Sequence, residues 1–158
     1  INSTANHLCV LPLSTLLENV AGVYAALIAG ATIHLLPSHE VGLNGSKLDI
    51  KKLYLALSHT RANTAIFIPE LLSALVSLMT ANNMPLPDLR FLAVGGAAVA
   101  SNLLHRANQL GLPVYQGYGL SECASVVSLN SADKNQVGSV GTPLQHVEVK
   151  LAEDSEIL

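Results

Sequence analysis

Short apolar runs of strand length alternate with stretches of helical periodicity along residues 7–118, and a Pro or Gly closes most of them. Residues 7–13 read as a buried strand ending at Pro12. Thr15 and Glu18 then have the spacing of a capping box, with Thr at the N-cap and Glu at N3. Behind it Leu16, Leu17, Val20, Val23, Tyr24, Leu27 and Ile28 recur at helical spacing until Gly30 stops the helix. Residues 31–36 are the next expected strand, closed by Pro37. A strand, a helix and a strand in that order imply a right-handed crossover and a parallel pair.

The unit recurs downstream. Residues 38–47 are polar, carry Gly42 and Gly45, and read as a loop, after which Asp49 caps an expected helix over residues 50–58. Residues 63–68 are a strand, and Pro69 opens a helix to residue 81 with Glu70 favourable in its first turn. Residues 90–94 are a strand followed by Gly95-Gly96; Ser101 is the expected cap of a helix that Gly111 ends, and Val114 begins another strand. This alternation predicts an α/β fold, an open and mostly parallel sheet with helices on both faces. After Glu122 the pattern changes to expected strands at 125–129 and 147–151, separated by a polar loop at 130–135 and a turn-rich passage at 138–143. Residues 1–124 are therefore expected to form an α/β subdomain, and residues 125–158 the beginning of a small β subdomain.

A chain of 158 residues, half of them hydrophobic and 12% charged, holds one domain with a sizeable core and is not disordered. Trp is absent, so that core is aliphatic. A net charge of −3 offers no basic face to nucleic acid. The longest apolar stretch, residues 20–36, reads as a helix then a strand and not as a transmembrane segment. Ile1-Asn2-Ser3-Thr4 lacks the basic start of a signal peptide, and Cys9 and Cys123 make no disulfide framework, so a cytoplasmic setting is expected. The missing initiator Met and the strand-like end Glu156-Ile157-Leu158 read as a piece of a longer protein.

Ligands of open α/β sheets bind beyond the carboxyl ends of the strands, where Gly95-Gly96-Ala97 and residues 116–122 both fall. The second segment starts as a strand at Val114 and is expected to break at Gly117 and Gly119. Ser121 is a candidate N-cap whose hydroxyl and neighbouring amide face an anion, and Glu122 adds a carboxylate for a hard cation. Tyr118 brings a flat ring suited to a base. Together they suit a nucleotide with its metal ion; the same residues also make a plain strand, turn and cap.

Other candidates are weaker. His7, His34, His39, His59, His105 and His146 are scattered without metal-ligand spacing and read as surface or helix-side groups. Cys123 has no His close in sequence, and Gly-Leu-Ser-Glu-Cys is not a nucleophile elbow. The apolar segment around Leu92 and Val94 suits a tunnel wall and a core equally.

Tyr118-Gly119-Leu120-Ser121-Glu122 resembles the Tyr-Gly-x-Thr-Glu motif of the adenylate-forming superfamily, with Ser for Thr. Over residues 116–122 the chain is most similar to the acyl-CoA synthetase (fatty acid–CoA ligase) branch. Gly95-Gly96-Ala97-Ala98-Val99 resembles that family's Gly-Gly-Ala-Pro-Leu segment beside the adenine, with Ala98 for Pro. Residues 12–18 resemble its Pro-Leu-x-His-x-x-Glu segment near the acyl carboxylate, with Thr15 where many members carry His. Residues 138–143 resemble a mainly structural Gly-Ser-Val-Gly-x-Pro passage.

The resemblance implies a parent enzyme that converts a carboxylic acid and ATP, with Mg²⁺, to acyl-AMP and pyrophosphate, then passes the acyl group to coenzyme A. It implies that Tyr118 packs on adenine with Gly96 and Ala97 lining it. Gln116 and Gly117 would shape the acyl and adenylate crossing, Gly119 would let the backbone approach, Ser121 would hold phosphate and Glu122 would ligate Mg²⁺. The family's phosphate loop is expected upstream of Ile1, and its ribose-binding Asp and catalytic Lys beyond Leu158. No catalytic residue is therefore assigned, and the isolated chain is expected to be inactive. Two alternatives stay open: an adenylation domain that loads a carrier protein, and a non-catalytic α/β nucleotide-binding module.

Overall fold

The computed structural model describes residues 2–45 and 47–157. The alternation becomes β1 (Asn6–Cys9), a wide π-type helix (Leu17–Tyr24) running on into α1 (Ala25–Ile28), and β2 (Thr32–Leu35). A small antiparallel hairpin follows, β3 (Leu43–Asn44) and β4 (Lys47–Leu48), and then α2 (Ile50–His59) and β5 (Thr64–Phe67). Next come α3 (Pro69–Asn82), β6 (Phe91–Val94), α4 (Ser101–Gln109) and β7 (Val114–Tyr118). Two short strands, β8 (Ser128–Leu129) and β9 (Thr142–Pro143), end the order.

Among the described residues seven strands form one sheet in the order β2-β1-β5-β6-β7-β8-β9. The pairs from β2 to β7 are parallel, and β8 and β9 add antiparallel. Phe67 pairs with Val94 and Val94 with Gln116, so the chain leaves β5, β6 and β7 along one carboxyl edge. One face of the sheet packs on α2, α3 and α4 around Leu8, Leu53, Phe67, Leu72, Leu75 and Leu92, all with no exposed surface. Each such side chain contributes about 1.5–3 kcal/mol of burial. The π-type helix lies on the opposite face, over β1 and β5. Among the described residues no helix is long and apolar enough to cross a membrane.

Local signals explain several ends. The Asp49 carboxylate accepts from the Lys52 amide at 3.3 Å, capping α2. Pro69 opens α3, where its missing N–H costs nothing, and Asn83 ends it in the left-handed conformation.

Tertiary contacts override several expectations. The capping box is not formed: Thr15 makes no side-chain cap, and Glu18 is fully buried, turned back toward β1. Its Oε2 accepts from the amides of Val10 (3.2 Å) and Leu11 (2.9 Å), and its Oε1 lies 3.0 Å from His7 Nε2. A buried carboxylate must be bonded, and two strand-end amides and an imidazole outcompete its own helix. His7 is thus no surface group. It shares a face of β1 with Cys9, because alternate strand residues point the same way. Ser101 is the first residue of α4, whose N-cap is Ala100 without a side-chain bond. The expected loop over 38–47 contains the β3–β4 hairpin; Ser46 lies outside the described residues. β7 runs through Gly117 to Tyr118 without breaking there, held by β8 across Gly117 and Tyr118. The strand expected at 125–129 is only Ser128–Leu129, because Ala124 and Ser125 have φ of 54° and 93°. No strand forms at 147–151; Leu151 makes a single bridge to Ile157.

Candidate functional site

A cavity of about 320 Å³ opens on the sheet face that carries the π-type helix. Strand alternation brings Phe91, Ala93 and Gly95 of the β6 line onto its floor, with Thr64 and Ile66 beside them on β5. Leu17 and Ala21 of the π-type helix form one wall, and Val126 and Leu129 the other. The Gly95–Gly96 turn and residues 117–121 close the end at the carboxyl edge, while His7, Thr64 and Phe91 lie at the amino end. Among the described residues none of the cavity-lining groups is a Lys or Arg. The Phe91 ring is stacked on Tyr115 with centroids 4.6 Å apart and planes 13° apart, which fixes it as a flat platform.

The structure brings together five of the expected residues: Gly96, Gly117, Tyr118, Gly119 and Ser121 all line the cavity. Ala97, Gln116 and Glu122 stand outside its wall. Gln116 is turned away by strand alternation, buried, with Oε1 unpartnered. Ser121 does not cap a helix. It begins a single 3₁₀ turn, Ser121–Cys123, that follows Leu120 and ends at left-handed Ala124. Glu122 is exposed on that turn. Leu92 belongs to the core on the far face, whereas Val94, also buried, lines the cavity together with Phe91 and Ala93.

The turn after β7 is set by backbone contacts. The Ser125 amide donates to Leu120 O at 3.1 Å, and Val127 N to Tyr118 O at 2.9 Å. Gly119 is required here, because a Cβ on it would run into the Ser125 carbonyl. Ser125 lines the cavity, and its buried hydroxyl has no partner. Nothing in the sequence marks it, since Ala and Ser do not favour a positive φ.

Beneath the cavity lies a buried polar cluster. His7 Nδ1 is 2.8 Å from Thr64 Oγ1, and His7 Nε2 is 3.0 Å from Glu18 Oε1. A carboxylate only accepts, so Nε2 donates to Glu18; in the neutral ring Nδ1 then accepts the Thr64 hydroxyl proton. Gly22 makes room, because a Cβ there would meet Glu18 Oε1 and His7 Nε2. Burial, the Glu18 charge and a hydrogen bond to Glu18 push the Cys9 thiol up to about 12. His7, Cys9 and Glu18 offer ligand atoms within 4.8 Å of one another. Both Glu18 oxygens already accept hydrogen bonds, so the carboxylate is satisfied as a structural clamp. Its structural effect is to tie the end of β1 to the π-type helix, and with it the 15–17 segment that borders the cavity. Signals available in the sequence are the one-residue spacing of His7 and Cys9 and the Glu18 that ends the resemblance over residues 12–18.

Comparison with known proteins gives a consistent family. The model of the AMP-binding enzyme family matches residues 1–157. The chain is 31% identical over 107 residues to a 2-succinylbenzoate–CoA ligase of Lactococcus lactis subsp. lactis, covering 66% of the chain and 23% of that protein. It is 35% identical over 105 residues to the fatty acid–[acyl-carrier-protein] ligase MmaC of Mycobacterium marinum, covering 63% of the chain and 20% of that protein. In fold it is similar to the O-succinylbenzoate coenzyme A synthetase of Bacillus subtilis in complex with ATP and magnesium ion. That likeness has a TM-score of 0.75 at 21% identity, and covers 100% of the chain and 31% of the synthetase. The chain spans less than a third of the length of each of these proteins.

Proposed function

The chain belongs to the AMP-binding enzyme family, and on that premise we propose that it carries the acyl and adenylate pocket of an ATP-dependent, AMP-forming acid–thiol ligase. The reaction is activation of a carboxylic acid of fatty type as acyl-AMP, followed by transfer to coenzyme A. One observation carries this reading. Two glycine-rich segments far apart in sequence, Gly95–Gly96 and residues 117–121, meet at the carboxyl edge of the sheet at one end of a mainly apolar cavity.

In this reading the acid's tail lies along Leu17, Ile66, Phe91 and Ala93, with its carboxylate at the Gly95–Gly117 end. Tyr118 and Gly96 border the adenine, Ala97 follows them outside the cavity wall and acts by holding the Gly96 turn, and Gly119 gives the backbone its close approach. Gln116 acts through the strand it buries in, keeping Gly117 at the crossing. Ser121 donates to phosphate from the rim. Glu122, an exposed oxygen donor on the adjacent turn, suits Mg²⁺, whose chemistry there is to neutralise phosphate charge. The apolar walls exclude water from the reacting carboxylate and strengthen each polar contact made at the rim. In this reading the subdomains divide at residue 124, which the change from parallel to antiparallel addition between β7 and β8 supports. A cytoplasmic location accords with the free Cys9 and Cys123.

A second reading, transfer to a carrier protein in place of coenzyme A, is favoured by the Mycobacterium marinum relative. ATP–pyrophosphate exchange with a panel of acids, on the longest natural protein containing this chain, tests adenylation; coenzyme A or carrier protein then distinguishes the acceptors. Acid-dependent exchange that Glu122→Ala abolishes supports the reading. Absence of exchange with every acid removes it.

A further inference from the structure

We infer that Phe91 measures the acid: the pocket takes an acid of medium length, about eight carbons, with an uncharged tail. This rests on the adenylation reading above and goes beyond it by naming the substrate class.

The inference follows from strand geometry. Along β6 the cavity is lined by the Gly95–Gly96 turn, which Leu17 faces, then by Ala93, and at the far end by the ring of Phe91. Gly95 and Phe91 are four residues apart on one strand, which spans about 13 Å. Contact with the ring takes up about 4 Å of that depth. Carbon–carbon bonds of about 1.5 Å at about 111° advance about 1.25 Å each, so about seven bonds fit in what remains. The ring cannot easily step aside, because it is stacked on Tyr115 at 4.6 Å. Thr64, the register partner of Phe91, closes the same end from β5 with its hydroxyl on His7 Nδ1.

Charge narrows the class further. Among the described residues the wall has no Lys or Arg, and both nitrogens of His7 are engaged, by Thr64 and by Glu18. A second carboxylate deep in the pocket would meet no cation among the described residues. This separates the chain from an acid such as 2-succinylbenzoate, which carries two carboxylates.

The test is adenylation, read as pyrophosphate exchange, on the longest natural protein containing the chain. The probes are straight-chain acids from butanoate to hexadecanoate, with 2-succinylbenzoate as the dianionic probe. The expected profile rises about fourfold in kcat/KM per methylene, peaks near octanoate and has dropped at least tenfold by dodecanoate. Phe91→Ala should move the peak about three carbons longer. Phe91→Leu keeps an apolar group on the strand if the alanine variant fails to fold, and should move the peak by one or two. A rate that stays level from octanoate to hexadecanoate, a profile unchanged in both variants, or a preference for 2-succinylbenzoate would overturn the inference while leaving adenylation intact. If no acid is adenylated, the reaction falls but calorimetry of acid binding to the same protein still decides. Tighter binding of octanoate than of dodecanoate, relaxed by Phe91→Leu, supports the measured pocket, and equal binding overturns it.

Discussion

Glu18→Ala should be among the most damaging single substitutions in this chain. The side chain has no exposed surface, and three donors depend on it: His7 Nε2 and the amides of Val10 and Leu11. Val10 and Leu11 are themselves buried, so water does not readily replace the lost acceptor. A buried donor left without a partner costs about 1–3 kcal/mol. Removing one member of a buried pair costs about 3–5 kcal/mol in total. We therefore expect Glu18→Ala to lose about 3–5 kcal/mol, against a typical domain stability of about 5–15 kcal/mol. With a urea dependence of about 1–3 kcal/mol per molar, the midpoint should fall by roughly 1–5 M. Glu18→Gln retains one acceptor oxygen but aims an amide N–H at a donor, and should lose about half as much. Urea titration followed by circular dichroism measures both, and a cycle with His7→Ala should give a coupling above about 1 kcal/mol. A loss below about 1 kcal/mol for Glu18→Ala would refute the clamp, because its donors would then have other partners.

The remaining predictions concern the site and the thiols. Glu122→Ala should leave stability within about 0.5 kcal/mol, since the side chain is exposed; Mg²⁺-dependent ATP binding, read by calorimetry, should weaken at least tenfold. Gly119→Ala should destabilise by about 1–3 kcal/mol through overpacking against the Ser125 carbonyl, and the same titration should show lost nucleotide binding in whatever fraction folds. Cys9 is held protonated up to about 12, while an unfolded thiol ionises from about 9.0. Between those values the unfolded state has lost a proton that the folded state keeps, so stability falls as pH rises through that window. Denaturation at pH 8 and pH 10.5 should show a steeper alkaline loss in the natural chain than in Cys9→Ala. In native protein a disulfide reagent should modify exposed Cys123 quickly and reach Cys9 only on unfolding.

Much of the fold was legible because its signals are local. Asp49 before α2, Pro69 at the start of α3 and Gly111 after α4 act through their own backbone neighbours, and the strands between them are short apolar runs. The parallel order of β1, β5, β6 and β7 follows from the alternation they create. The cavity's carboxyl end was legible for the same reason, since Gly96 and residues 117–121 leave the strands at one edge. What stayed hidden depends on contacts between distant segments. Glu18 looked like a capping residue until β1 supplied two amides and an imidazole, and His7 looked isolated until Thr64 came beside it. The Ala124–Ser125 turn takes a conformation that neither residue prefers, imposed by the closure of β7 on β8. Leu92 and Phe91 are adjacent apolar residues whose roles separate only once the faces of β6 are known.

The most direct test of the central claim is a crystal structure of the longest natural protein containing this chain, bound to octanoyl-sulfamoyl adenosine, a stable mimic of an acyl-adenylate. The expected result has the adenine against Tyr118 and the Gly95–Gly96 turn, with the octanoyl tail ending on Phe91. An adenine bound away from the carboxyl edge of β6 and β7, or a tail that leaves this cavity, would contradict the account.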